Sequence, residues 1–258
     1  MLLSIENLVL LCLGFFIVAA LYSSVGFGGG SSYLALLTLV LASFFSIRSI
    51  ALICNLTVVS GSTFLYFKNG HASLKDFLPF VITSIPMAFI GASFRLGENV
   101  FFIILGCSLI VSAIFLAWQT ISKTEGSIRS KSYPKYLSYF LGGGIGLLSG
   151  LVGIGGGIFL APVLNHMKWN SSLKIAALAS FFILVNSLSG LGGLLVNDTL
   201  ELPWVEATAL VITVFLGGQL GIRISLKRLS PTGIKRITAL LVFVVGVRVL
   251  LVNGLQVL

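Results

Sequence analysis

The chain has 258 residues, of which 57% are hydrophobic and only 9% are charged, with a formal net charge of +9. Because a soluble domain carries about 25% charged residues, this composition excludes an ordinary water-soluble enzyme or binding module. Uncharged stretches of roughly twenty residues can cross a hydrocarbon core as helices, and the alternating segments of an outer-membrane barrel do not occur. The sequence therefore predicts an all-α polytopic membrane protein.

The apolar segments form two groups of five, separated by a basic linker over residues 122–135. Polar and small residues recur in the same order in both groups, since Ser60-Gly61 matches Ser189-Gly190 and Gly91 matches Gly221. We therefore predict a first transmembrane repeat over 1–121 and a second over 136–258. The predicted segments are 5–22, 31–46, 49–67, 77–95 and 99–119, and then 136–150, 157–167, 174–196, 203–223 and 234–254.

A glycine run follows the first apolar segment of each repeat. The two copies are Ser24-Val25-Gly26-Phe27-Gly28-Gly29-Gly30-Ser31 and Leu151-Val152-Gly153-Ile154-Gly155-Gly156-Gly157-Ile158. Glycine lets the backbone leave helical geometry and lets other groups approach it closely. Segment 157–167 would span only roughly 16 Å as a helix, so we predict that each run is the turn of a broken, re-entrant helical hairpin.

The distribution of Lys and Arg predicts how the repeats face the membrane. The linker and the cluster over 223–236 carry most of the basic residues, which places both in the cytoplasm, whereas loop 197–206 is acidic and is placed outside. The first hairpin then enters from outside and the second from inside. This is an inverted-topology repeat, in which each half has a glycine hairpin plus three spanning helices and the substrate site lies near the midplane.

A new helix begins after each glycine run, near Ser31 and Ile158. The first N–H groups of a helix lack intrahelical partners, and the helix dipole makes this end positive, so a glycine-rich turn leading into a helix is suited to bind an anion. Small-residue helix packing is the alternative, which we favour for Gly142, Gly146 and Gly150. Polar side chains at membrane depth complete the site. The candidate substrate-binding residues are Gly28, Gly29, Gly30, Ser31, Gly155, Gly156, Gly157, Asn55, Asn186 and Ser24.

The acidic residues all fall in loops or near span ends, which disfavours a cation as substrate. No metal-binding or catalytic motif accompanies the glycine runs, so neither an enzyme nor a cofactor is expected. Arg48, Arg95 and Arg223 lie at predicted span ends. We interpret them as snorkelling topology anchors, with an anion-attracting vestibule as the alternative.

With both glycine runs and the repeat established, the chain resembles the TauE/SafE family of sulfite exporters over nearly its whole length. The first stretch that carries the resemblance is residues 25–30. The second half is the closer match, through Gly146-Leu-Leu-Ser-Gly-Leu-Val-Gly-Ile-Gly-Gly-Gly157, Ala161-Pro162-Val163 and Asn186-Ser-Leu-Ser-Gly190. The resemblance implies a secondary permease of the bacterial cytoplasmic membrane for small sulfur-containing anions.

We therefore predict a transporter that exports sulfite, sulfoacetate or another organosulfonate by alternating access. An anion channel with the same glycine-lined site is the alternative. Two further alternatives are an intramembrane enzyme or sulfur-relay protein that uses Cys54, and a structural membrane subunit. The expected partners are a small anionic substrate and the lipid bilayer; a homodimer is left open, and nucleic acid is not expected.

Overall fold

A computed structural model of the chain describes residues 4–23, 26–41, 43–94, 96–121, 133–225 and 231–257. These parts of the chain are helical and contain no β-strand. A π-helical turn, Val249–Gly254, follows the last helix. The helices are α1 (Ile5–Ser23), α2 (Gly30–Leu37), α3 (Phe44–Lys68), α4 (Leu74–Ser93), α5 (Glu98–Ile121), α6 (Lys135–Val152), α7 (Gly157–His166), α8 (Ser172–Val196), α9 (Trp204–Ser225) and α10 (Pro231–Arg248).

Six helices in the described part of the chain, α1, α3, α4, α5, α8 and α9, are long and apolar enough to cross a membrane. The prediction of an all-helical, multi-pass membrane protein is therefore confirmed. By contrast, α2 has 8 residues and α7 has 10, which corresponds to about 12 Å and 15 Å of helix. Neither could cross a hydrocarbon core of about 30 Å alone.

The first repeat departs from its predicted boundaries at α2. The sequence predicted a helix over 31–46, but α2 ends at Leu37 and the next helix begins at Phe44. The side chain of Ser43 accepts a hydrogen bond from the N–H of Ser46 and starts α3 as its N-cap. Because this cap lies within a continuous apolar stretch, hydropathy alone placed the boundary too late.

Glycine residues bring α6 into contact with α4, as expected for small-residue packing. The ideal Cβ positions of Gly142, Gly146 and Gly150 fall against the backbone of α4. The residue numbers of the contacting pairs increase together along the two helices, so α4 and α6 run in the same direction. They pair Gly142 with Phe80, Gly146 with Ser84, and Gly150 with Ala88.

Helix α8 runs in the same direction as α4. The hydroxyl of Ser189 donates to the carbonyl of Ile85 at 2.6 Å, and the ideal Cβ of Gly193 lies 2.6 Å from the carbonyl oxygen of Phe89. Lys174 and Asp76, near the two N-termini, form an ion pair. Helices α4, α6 and α8 therefore begin at one end of the bundle, which we call the basic end because Lys68, Lys75 and Lys174 lie there.

Helices α1, α3 and α9 run the opposite way. Gly217 and Gly221 of α9 approach the carbonyls of Phe16 and Ala20 of α1, so these two helices are parallel. Helices α3 and α8 are antiparallel, because Leu52 contacts Gly190 whereas the ring of Phe67 packs on that of Phe181. The far end of the bundle holds Asp198, Glu201 and Glu206, and we call it the acidic end.

The helix contacts of the two halves correspond. The pair α4–α6 has its counterpart in α9–α1, and α4–α8 has its counterpart in α9–α3. Helices at the same place in the two halves, such as α3 and α8, run in opposite directions. Which end faces the cytoplasm remains a prediction, and most of the basic linker, residues 122–132, lies outside the described residues.

Candidate functional site

Each glycine run turns the chain into a short helix. The N-caps of α2 and α7 are Gly29 and Gly156, with φ of 90° and 81°. Gly155 also has a positive φ, of 82°. L-residues with side chains rarely adopt this backbone conformation, which explains why both turns need glycine where the helices begin.

The N–H groups at both turns lack partners in the described part of the chain. No described acceptor hydrogen-bonds the N–H groups of residues 28–31 in the first run or of residues 154–158 in the second. Consecutive N–H groups in a turn that includes left-handed residues form a concavity suited to anions. The helix dipole adds about half a positive charge at each of the two turns.

The side chain of Asn55, on α3, lies between the two glycine runs. A Cβ atom on Gly28 would lie 2.5 Å from Asn55 Oδ1, and one on Gly155 would lie 3.4 Å from Asn55 Nδ2. The Nδ2 group donates to the carbonyl of Ile154 at 3.0 Å, whereas Oδ1 has no partner among the described residues. Asn55 is 0% exposed, so one buried amide separates the two runs.

Each run is also held by a helix of the other half. Asn55 of the first half bonds to the second run at Ile154, and Ser180 on α8 donates to the first run at the carbonyl of Gly26. The two short helices are thus joined to one another through α3 and α8. Relative movement of the halves would have to change these contacts.

Buried hydroxyl groups without hydrogen-bond partners surround the runs. Ser31 Oγ and Tyr33 OH lie on α2, and Tyr33 OH is 3.0 Å from the ideal Cβ of Gly29. On the second side, Ser187 Oγ is 3.1 Å from the ideal Cβ of Gly155, and Ser149 Oγ is also unpartnered. Since buried polar atoms are normally paired, these groups are available to a polar ligand.

The structure brings most of the predicted site residues together, with two exceptions. Gly28 and Gly30 of the first run and Gly155 of the second lie against Asn55. Gly29, Ser31, Gly156 and Gly157 are their neighbours in the same two runs and have no recorded contact with Asn55. Asn186 is 1% exposed and neither of its amide atoms has a described partner. It is placed one turn along α8 from Ile183, which contacts Gly155 and Gly157, so it borders the site without a recorded contact to a run. Ser24 lies outside the described residues.

Neighbouring side chains fill the space in which the glycine Cβ atoms would lie. Gly29 faces Tyr33 and Val18, Gly156 faces Phe182, and Gly157 faces Ile183. The glycines are therefore needed for close packing as well as for their backbone angles. What remains available for a ligand is the row of N–H groups and the unpartnered oxygen atoms, not an apolar cavity.

The expectation for Arg48 was wrong. The sequence placed it at a span end as a snorkelling anchor, but α3 begins at Phe44 and puts Arg48 on its second turn, 1% exposed. Its Nη2 donates to the carbonyl of Gly150 at 2.9 Å and to that of Ala92 at 3.5 Å. Because the start of α3 was predicted too late in the sequence, the burial of the Arg48 charge was not predicted. Arg223 is exposed, and Arg95 lies outside the described residues.

Comparison with known proteins gives a consistent result. Residues 10–249 match the model of the family described as "Sulfite exporter TauE/SafE". The chain is 34% identical over 244 residues to "Probable membrane transporter protein y4hK" of Sinorhizobium fredii, which covers 93% of this chain and 97% of that one. It is 29% identical over 188 residues to "Probable membrane transporter protein YunE" of Bacillus subtilis, which covers 66% and 68%. No solved structure has significant similarity to the chain.

Proposed function

Because the chain belongs to the TauE/SafE family of membrane transporters, we propose that it exports small sulfur oxyanions, such as sulfite, sulfoacetate or other organosulfonates. The membrane would be the cytoplasmic membrane of a bacterium, and the mechanism alternating access. The anion would bind where the two glycine runs meet. Both relatives are named as probable membrane transporters, and the site together with the name of the family supports the choice of substrate.

One observation carries the proposal: two helix N-termini with unpartnered N–H groups lie against the same side chain, Asn55. Several N–H donors and two positive dipole ends favour a negative ligand. Described donors and hydroxyl groups line the locus, and no described carboxylate contacts it. A sulfite or sulfonate group has three oxygen atoms that could accept from both runs at once.

The opposite directions of corresponding helices support an inverted-topology repeat, in which a central site is opened to each side in turn. Polar contacts between the halves lie at both ends of the bundle. At the basic end the ion pair of Lys174 with Asp76 joins α8 to α4 at 2.5 Å. At the acidic end Glu201 accepts from Ser43 at 2.5 Å and from Ser46 at 3.1 Å.

These end contacts favour a carrier over the alternative of an open anion channel, because the two contacts correspond to each other when the halves are exchanged. One joins α8 to α4, and the other joins α3 to the residues that lead into α9. Beside the Lys174–Asp76 ion pair lies a cavity of about 190 Å³, lined in part by His71 and Ser171. A carrier that breaks one end contact while keeping the other would expose the central site to one side only. Export of a monoanion would gain about 2.3 kcal/mol per 100 mV from an interior-negative potential.

The proposal is tested with purified protein in liposomes. Radiolabelled sulfite and sulfoacetate should accumulate in a saturable way, at carrier rates, and each should compete with the other, whereas choline and sodium should not be moved. Liposomes without protein and liposomes with heat-denatured protein are the controls. Single-channel currents in planar bilayers would establish the channel instead, and saturable transport of a cation with no anion flux would overturn the anion proposal.

A further inference from the structure

A stripe of polar residues follows one face of α3. Its members are separated by seven, seven and four residues, and these spacings return to the same side of a helix with 3.6 residues per turn. The stripe begins near the acidic end and reaches the last turn at the basic end. The members of this α3 stripe are Arg48, Asn55, Ser62 and Tyr66.

Three of the four members of the stripe are buried, and their hydrogen-bonding capacity is not used up. Arg48, Asn55 and Ser62 are at most 3% exposed. Arg48 Nε, Asn55 Oδ1 and Ser62 Oγ have no partner among the described residues. Polar groups at membrane depth are costly unless they meet another polar group, so three such atoms on one helix face are unusual for packing alone.

Three members of the α3 stripe lie against the glycine runs. The Cβ and Cγ of Arg48 are 3.5 Å from the ideal Cβ of Gly153, and Asn55 contacts Gly28 as described above. Tyr66 OH is 2.6 Å from the ideal Cβ of Gly26. The stripe therefore passes the central site and extends beyond it toward both ends of the bundle.

Arg48 gives the stripe a fixed positive charge. No carboxylate in the described part of the chain forms an ion pair with it. Its Nη2 group bonds to carbonyls near the C-termini of α4 and α6, where a positive charge offsets the negative end of the helix dipole. These bonds leave the Nε–H group of Arg48 without a partner among the described residues. The Nη2 bonds also do not explain why Asn55, Ser62 and Tyr66 lie on the same face of α3 as Arg48.

We propose that the α3 stripe is the wall of the anion's path through the protein and that Arg48 is its charge-selecting residue. This inference rests on the proposed function, since it assigns the path to the same central site. An anion leaving the glycine runs toward the acidic end would pass the guanidinium group. One moving toward the basic end would pass the hydroxyls of Ser62 and Tyr66.

The test measures charge selectivity by cysteine labelling, without requiring the transported anion to be known. In a chain whose Cys12, Cys54 and Cys107 are replaced by alanine, Ser62→Cys is introduced. The labelling rates of two thiosulfonate reagents of similar size are compared, one carrying a sulfonate and one a trimethylammonium group. Because a buried charge raises the local concentration of counter-ions, we expect the anionic reagent to react at least about tenfold faster.

Adding Arg48→Gln to the Ser62→Cys chain should bring the ratio of rates close to one, whereas Arg48→Lys should keep it. Arg223→Gln, which removes an exposed basic residue, is the matched control and should leave the ratio unchanged. Ser60→Cys lies on the other face of α3 and should remain unlabelled. If Arg48→Gln does not fold, Ser62→Cys is compared with Gln256→Cys, at an exposed position away from the basic end, both with Arg48 intact, and only Ser62→Cys should favour the anionic reagent.

Absence of labelling in the Ser62→Cys variant, equal rates for the two reagents, or a preference that survives Arg48→Gln in folded protein would overturn the proposal. These results are separable from the transport test. A clear anion preference in the Ser62→Cys variant without sulfite or sulfoacetate flux would support the proposed path and refute the proposed substrates. Normal sulfite flux with no such preference would refute the proposed path and leave the proposed transport function standing.

Discussion

Replacing Gly29 or Gly156 with valine is expected to abolish anion transport while folded protein remains in the membrane. Both glycines are N-caps with positive φ, a conformation that costs a β-branched residue of order 1–3 kcal/mol. The new Cβ would also lie 2.9 Å from the Tyr33 ring and 2.8 Å from that of Phe182. Displacing two N–H donors from a charged ligand should lower transport by more than about 100-fold.

The measurement is sulfite flux in liposomes, normalised to reconstituted protein whose folding is checked by thermal unfolding. Gly70→Ala is a matched control, because Gly70 also has a positive φ, of 70°, but nothing lies within 4 Å of its ideal Cβ. Gly144→Ala controls for substitution in an open helix position. Full activity of either valine variant would refute binding by the backbone at the glycine runs.

Asn55→Asp is expected to weaken anion binding by roughly a thousandfold with almost no change in side-chain shape. The new carboxylate would stand between the two N-termini, beside Gly28, Gly30 and Gly155. At about 4 Å and an effective dielectric constant of about 20, two like charges repel by about 4 kcal/mol, which corresponds to that change in Kd. Binding is measured by calorimetry or by protection from thermal unfolding across a titration with sulfite.

Two variants distinguish charge from a general loss of structure. Asn99→Asp adds the same charge at an exposed position in the first turn of α5 and should leave binding unchanged. Asn55→Ala removes the bond to Ile154 without adding charge, and should weaken binding less than Asn55→Asp does. Equal affinity of the wild-type and Asn55→Asp proteins for sulfite would mean that the anion does not bind beside Asn55.

The sequence was sufficient to predict those features that depend on local chemistry. The number and order of helices follow from the apolar segments, and the two turns follow from the glycine runs, where Gly29 and Gly156 have positive φ. Close helix packing through Gly142, Gly146 and Gly150 was also predicted, because glycines four residues apart fall on one helix face, although the partner, α4, was not.

Features that depend on long-range contacts could not be read from the sequence. Asn55 was recognised as a polar residue at depth, but its position between the runs depends on how α3 crosses α8. The burial of Arg48 was missed because the N-cap at Ser43 lies within an apolar stretch. Tyr33 was not among the predicted site residues, although its hydroxyl lies close to Gly29.

The most direct measurement is the position of a bound anion in an experimental structure. Selenite is isosteric with sulfite in its pyramidal geometry, and its selenium atom can be located by anomalous scattering in crystals of the wild-type protein. We predict one selenium peak within contact distance of the N–H groups of residues 28–31 and 154–158, beside Asn55, and its loss in Asn55→Asp crystals. A protein that transports selenite but binds it elsewhere, with no peak between the two glycine runs, would contradict the assignment of the site.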